Sequence, residues 1–107
     1  LPGGRAWWPI NMQRLLQLAA AQSFEALRDE VPPGIEEART MLEEAIDSAM
    51  KCYSLPTTHW TLGGFSQGAM LSVETALMGQ LSPPTRLILW SGALLAEKRW
   101  LSHSERL

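Results

Sequence analysis

Cysteine occurs once in the 107 residues, at Cys52, so no internal disulfide can form and nothing argues for an oxidising compartment. At the end of a helical stripe, Cys52 reads as a small buried hydrophobe rather than a reactive thiol. Long apolar runs are missing too: none approaches the roughly 18 residues of a spanning helix, which excludes a transmembrane segment of that kind. The opening stretch Leu1 to Pro9 has neither the basic head nor the apolar core of a signal peptide. The expected location is therefore cytoplasmic. The first residue is Leu rather than Met, as expected of a processed or fragmentary chain. An excess of one charge is also lacking. Nine basic against eleven acidic residues leave a net charge of −2, which gives no footprint for nucleic acid or an anionic membrane. With one cysteine and two separated histidines, His59 and His103, no ligand set for zinc is present, and neither metal nor cofactor is expected.

What is present is an α/β pattern. Pro2, Gly3, Gly4 and Pro9 make residues 1–10 an extended loop. Asn11 can cap a short helix running to about Ala21, and Gln22 to Glu30 is ambiguous. Pro32-Pro33-Gly34 ends whatever precedes it. The clearest helix follows from Ile35 to Met50, where Ile35, Ala38, Met41, Leu42, Ala45, Ile46, Ala49 and Met50 share one stripe, with a solvated acidic face opposite. Leu55-Pro56 closes it. Thr58 to Gly63 reads as a short strand, Gln67 to about Gln80 as a helix, and Arg86 to Trp90 as an apolar strand buried on both faces. Strand, helix and strand in that order imply a parallel βαβ unit. Ala93 to Leu107 is too short and mixed to place. The whole chain, 1–107, is expected to be a single, partial α/β domain.

Between the first strand and its helix stands Gly64-Phe65-Ser66-Gln67-Gly68, the G-x-S-x-G spacing of a nucleophile elbow. The chemistry explains the residue types. Ser66 must occupy a sharp strand-to-helix turn to project its hydroxyl, and Gly64 and Gly68 let neighbouring backbone pass closely. The Gln67 N–H opens the helix without an internal partner, so it can face the oxygen of a tetrahedral intermediate. A glycine-rich βα turn shaped only for packing is the ordinary alternative. A P-loop is excluded because Ala69 stands where lysine would follow Gly68. A dinucleotide fingerprint beginning at Gly63 is excluded because Phe65 stands at its second glycine.

Leu62 to Ser72 resembles the elbow of the phospholipase/carboxylesterase family of α/β-hydrolases, relatives of the acyl-protein thioesterases, whose elbow reads G-F-S-Q-G. Gly4-Arg-Ala-Trp-Trp8 is similar to that family's R-x-W-aromatic stretch beside the active site, although Pro9 stands where the family often has Asp. Leu89-Trp-Ser-Gly92 is similar to the family's strand end after the elbow helix. The resemblance implies an α/β-hydrolase-type parallel core and ester or thioester hydrolysis through an acyl-enzyme on Ser66, with Gln67 as an oxyanion donor. The substrate would be a small-molecule ester or thioester. Trp7, Trp8 and Trp90 are candidate pocket residues, with ordinary packing as the alternative for each; Trp60 is expected in the core and Trp100 at the surface.

A serine needs a base and an acid, which in this fold follow it in the order Ser, Asp/Glu, His. His59 precedes the elbow by roughly 20 Å of extended chain and reads as structural. Glu97 with His103 is the best order-compatible pair, and Glu74 lies inside the elbow helix. In the family the acid and base come from later strand ends, and the second oxyanion donor from an earlier loop, for which Gly3-Gly4 is a substitute of lower standing than plain loop. The chain is thus expected to be a central fragment, inactive or weak by itself. The competing expectation is a non-catalytic α/β interaction module that completes its sheet with another chain, or self-associates through exposed sheet edges.

Overall fold

Two prolines and a glycine set where the longest described helix begins. The computed structural model describes residues 5–9, 12–20, 31–92 and 97–106. Helix α1 spans Met12–Ala20. Its expected cap, Asn11, the Gln22–Glu30 stretch and Gly3-Gly4 lie outside the described residues. After Pro32-Pro33, Gly34 takes a left-handed conformation (φ 91°) that a side chain would disfavour, and α2 runs from there over Ile35–Cys52. Glu36 and Glu37 in its first turn and Lys51 in its last suit the helix dipole.

The end of α2 is a Schellman arrangement. The Leu55 N–H donates to the Met50 carbonyl at 2.9 Å, and the Ser54 N–H donates to that of Lys51 at 3.4 Å. Ser54 therefore carries the left-handed residue, φ 52°, where glycine is usual. The helix outlasts the expected Met50 boundary and takes in Cys52, which is exposed rather than buried. The stripe is also narrower than its periodicity suggested. Ile35, Ala38 and Met50 are buried, whereas Met41, Ala45 and Ala49 face outward. Periodicity identifies residues that share a face; α3 is the main element packed on α2 and, with Trp8, covers only part of the stripe.

Strand β1 (Thr61–Phe65) pairs in parallel with β2 (Arg86–Trp90), with Thr61 opposite Arg86 and Phe65 opposite Trp90. The second strand falls where its apolar run predicts. The first is shifted: Thr58, His59 and Trp60 lie outside it, Trp60 half-buried rather than in the core, and it continues through Gly64 and Phe65 because their partners Leu89 and Trp90 extend the ladder. Before β1, Trp60 is clasped to Thr85, whose hydroxyl accepts from the Trp60 N–H at 2.9 Å.

Helix α3 (Gln67–Met78) is the centre of the fold and packs against β1, β2, α2, α4 (Glu97–Leu101) and a 3₁₀ turn at Ser104–Arg106. It is accordingly buried on several sides, with Ala69, Leu71, Ser72, Thr75, Ala76 and Leu77 all enclosed. Trp8, Ile35, Ala38, Leu71, Leu77 and Trp100 form the core. Trp100 is thus buried, contrary to the expected surface position, because α4 folds back onto α3. The opposite correction applies to β2. Ile88, Leu89 and Trp90 are exposed: Ile88 and Trp90 project from the sheet face that no described element covers, and Leu89, on the α3 side with Leu87, is only partly covered.

Glu74 on α3 is fully buried, and its charge is met from two other helices. Arg39 of α2 and Arg99 of α4 both reach its Oε2, the latter at 2.7 Å, while the Trp100 indole N–H donates to Oε1 at 3.0 Å. A carboxylate without water is tolerable only with this degree of pairing.

Candidate active site

The turn between β1 and α3 is a single residue, Ser66. Its backbone has φ 55° and ψ −115°, a conformation an L-residue adopts only under strain of order 1–3 kcal/mol. Neighbouring bonds hold it there. The Ser66 N–H donates to the Trp90 carbonyl at 2.7 Å, extending the ladder one step past β1, and the Ser66 carbonyl accepts from Ala69 and Met70 at 3.0 and 3.2 Å. A serine at a helix N-cap commonly turns its hydroxyl onto the helix's own amides. Ser66 makes no such bond, so its Oγ is not committed to α3. The first-turn N–H groups of Gln67 and Gly68 also have no intrahelical acceptor.

The two glycines of the motif differ. A Cβ on Gly64 would lie 2.3 Å from the Gly68 carbonyl carbon and oxygen and 2.6 Å from the Ala69 nitrogen. Only glycine lets the strand pass the helix at that separation. A Cβ on Gly68 would meet nothing nearer than the Trp7 indole nitrogen at 3.9 Å, an ordinary contact. The expected close backbone passage therefore applies at Gly64 and not at Gly68.

Ser66 lines a cleft of about 540 Å³ together with Gly64, Gln67 and Gly68, and with Arg5, Ala6, Trp7, Leu42, Leu62, Phe65 and Leu71. This volume is within the range of small-molecule sites. Of the candidate pocket tryptophans, Trp7 is on the cleft and half exposed. Trp8 turns into the core instead, and Trp90 is an exposed residue away from the cleft, its side chain left on the uncovered sheet face. Adjacent in the chain, Trp7 lines the cleft while Trp8 anchors the segment in the core.

Neither histidine lines the cleft. His59 is an exposed residue before β1, its Nδ1 3.3 Å from the Thr58 hydroxyl. His103 follows α4, its Nδ1 3.0 Å from the Arg99 carbonyl and 2.9 Å from the Ser102 hydroxyl. Glu97 opens α4 and is likewise away from the cleft, so the Glu97–His103 pair is not assembled beside Ser66. Among the described residues no three His, Cys, Asp or Glu side chains come together as metal ligands, and no helix is long and apolar enough to cross a membrane.

Arg5 lies on the cleft, in the stretch whose resemblance placed it beside the active site, whereas the sequence did not point to Leu42 or to the role of the Gln67 side chain. Its amide bridges to the amino-terminal segment 60 residues away. The Trp7 N–H donates to Oε1 at 2.7 Å, and Nε2 donates to the Trp8 carbonyl at 3.0 Å. Nothing local to Gln67 signals this partner.

The family model described as Phospholipase/Carboxylesterase matches residues 5–107. The chain belongs to that family. The phospholipase/carboxylesterase family is one of α/β-hydrolases acting on esters, which accounts for a parallel strand–helix–strand core and implies a small-molecule substrate. No curated protein and no solved structure matches the chain.

Proposed function

We propose that the protein is a serine hydrolase of carboxylesterase, lysophospholipase or thioesterase type, with Ser66 as its nucleophile. The observation that carries this reading is the strained Ser66 backbone on a one-residue β1–α3 turn at a cleft of about 540 Å³. Ser66 Oγ attacks the carbonyl carbon of the ester or thioester, and its proton passes to a general base. The tetrahedral oxyanion accepts a hydrogen bond from the Gln67 N–H, at the positive end of α3. Collapse breaks the bond to the alkoxide or thiolate, which leaves with a proton. Water then attacks the acyl-enzyme, releasing a carboxylic acid and restoring Ser66.

No histidine, aspartate or glutamate is among the described residues of the cleft, so the base and its orienting acid are supplied by other groups. Hydrolysis of p-nitrophenyl esters by the protein at its full natural length tests the reading. Ser66→Ala is expected to lower kcat by at least about 10³-fold with the fold intact; an unchanged rate overturns it. A second reading, an α/β module that joins its sheet to another chain, draws on the exposed Phe65, Ile88, Leu89 and Trp90. That reading predicts association and no Ser66-dependent turnover.

A further inference from the structure

We propose that the Gln67 side chain is a positioning residue that holds residues 5–9 as one wall of the cleft and thereby selects esters of long acyl chains over acetyl esters. The inference rests on the reading of Ser66 as nucleophile. It concerns the carboxamide of Gln67, whereas the oxyanion role belongs to that residue's backbone N–H.

The geometry points to a clamp with two independent grips. On one side, Trp8 is 6% exposed and packs with Ile35, Ala38 and Leu71, so it ties the segment to the core. On the other, the Gln67 carboxamide uses its acceptor on the Trp7 N–H and its donor on the Trp8 carbonyl. A primary amide presents one acceptor and a donor group side by side, so it can satisfy both polar groups of this short stretch at once. The Trp8 anchor sets where the segment lies; the carboxamide sets how it is turned. In that orientation Ala6 and Trp7 line the cleft together with Ser66, and Leu42, Leu62 and Leu71 line it as well. An acetyl group, bonded at Ser66, needs little of that wall. A longer acyl chain gains by lying along it, because burial of each added methylene is favourable.

Breaking the clamp should therefore raise KM for long-chain substrates more than for acetyl esters, and the effect is read as the ratio of the two substrates within each variant. Gln67→Met keeps the length of the side chain and removes both hydrogen bonds. With p-nitrophenyl octanoate and acetate, its octanoate-to-acetate ratio of kcat/KM is expected to fall about tenfold, through the octanoate KM. Hydrogen exchange of the Trp7 N–H should quicken in the same variant. Trp7→Ala, which removes the wall and keeps the carboxamide, is expected to lose the same selectivity and carries the test should Gln67→Met fail to fold. Wild-type turnover with an unaltered ratio in the variants overturns the proposal and leaves the Ser66 reading standing. An unchanged Trp7 exchange rate in a folded Gln67→Met overturns it as well. Hydrolysis of neither ester by the wild-type protein at its full natural length overturns both.

Discussion

Gly64 and Gly68 stand so close that the strand and the helix they belong to leave no room for a methyl group between them: a Cβ on Gly64 would sit 2.3 Å from the Gly68 carbonyl. The reverse does not hold, because a Cβ on Gly68 points toward Trp7 at 3.9 Å. The two glycines of one motif should thus respond with opposite signs. Gly64→Ala must displace backbone and is expected to cost about 3 kcal/mol or more. Gly68→Ala lies in the first turn of α3 and is expected to be neutral or to gain up to about 1 kcal/mol. Urea unfolding of both variants measures the difference.

Glu74 supplies a second prediction. Its carboxylate is fully buried beneath Arg39, Arg99 and the Trp100 indole, which join α2, α3 and α4. Glu74→Ala leaves two guanidinium groups facing an emptied site. By analogy with other broken buried pairs, the loss is expected to be about 3–5 kcal/mol, read from the denaturation midpoint.

At the end of α2, Ser54 occupies a left-handed position, φ 52°, that favours glycine. Ser54→Gly is expected to stabilise the protein by about 0.5–1 kcal/mol. A loss instead would mean that the serine side chain contributes more than its backbone strain costs.

The neighbouring ion pair between Lys51 and Asp47, 2.8 Å, behaves differently. The hydrogen bond to Asp47, and then its charge, raise the Lys51 pKa above its ordinary 10.5. A raised amine stabilises the fold below its unfolded pKa and loses that effect as pH climbs through the folded value. The window is therefore alkaline. Since Lys51 is wholly in water, the effect is screened. Lys51→Met is expected to leave the thermal midpoint at neutral pH unchanged, with any difference shrinking further in salt.

Much of the chain order could be read locally. The starts of α2 and α3 and both ends of β2 are marked by Pro, Gly and Ser punctuation, and the strand–Gly64-x-Ser66-x-Gly68–helix context marks the turn that carries Ser66. Burial was less legible. Cys52, Met41 and Trp90 are outside and Trp100 is inside because exposure depends on which elements meet a face. The bridge from Gln67 to Trp7 and Trp8 was illegible for a related reason: a hydrogen bond across 60 residues leaves no local pattern. The same applies to Arg39 and Arg99 converging on Glu74.

The central claim is that Ser66 is an activated nucleophile. Treatment of the full-length folded protein with a fluorophosphonate probe, followed by peptide mass spectrometry, tests it most directly. One probe adduct on Ser66, absent in Ser66→Ala and in heat-unfolded protein, is the predicted result. A folded protein that takes up no probe, or takes it up equally after Ser66→Ala, would contradict the account.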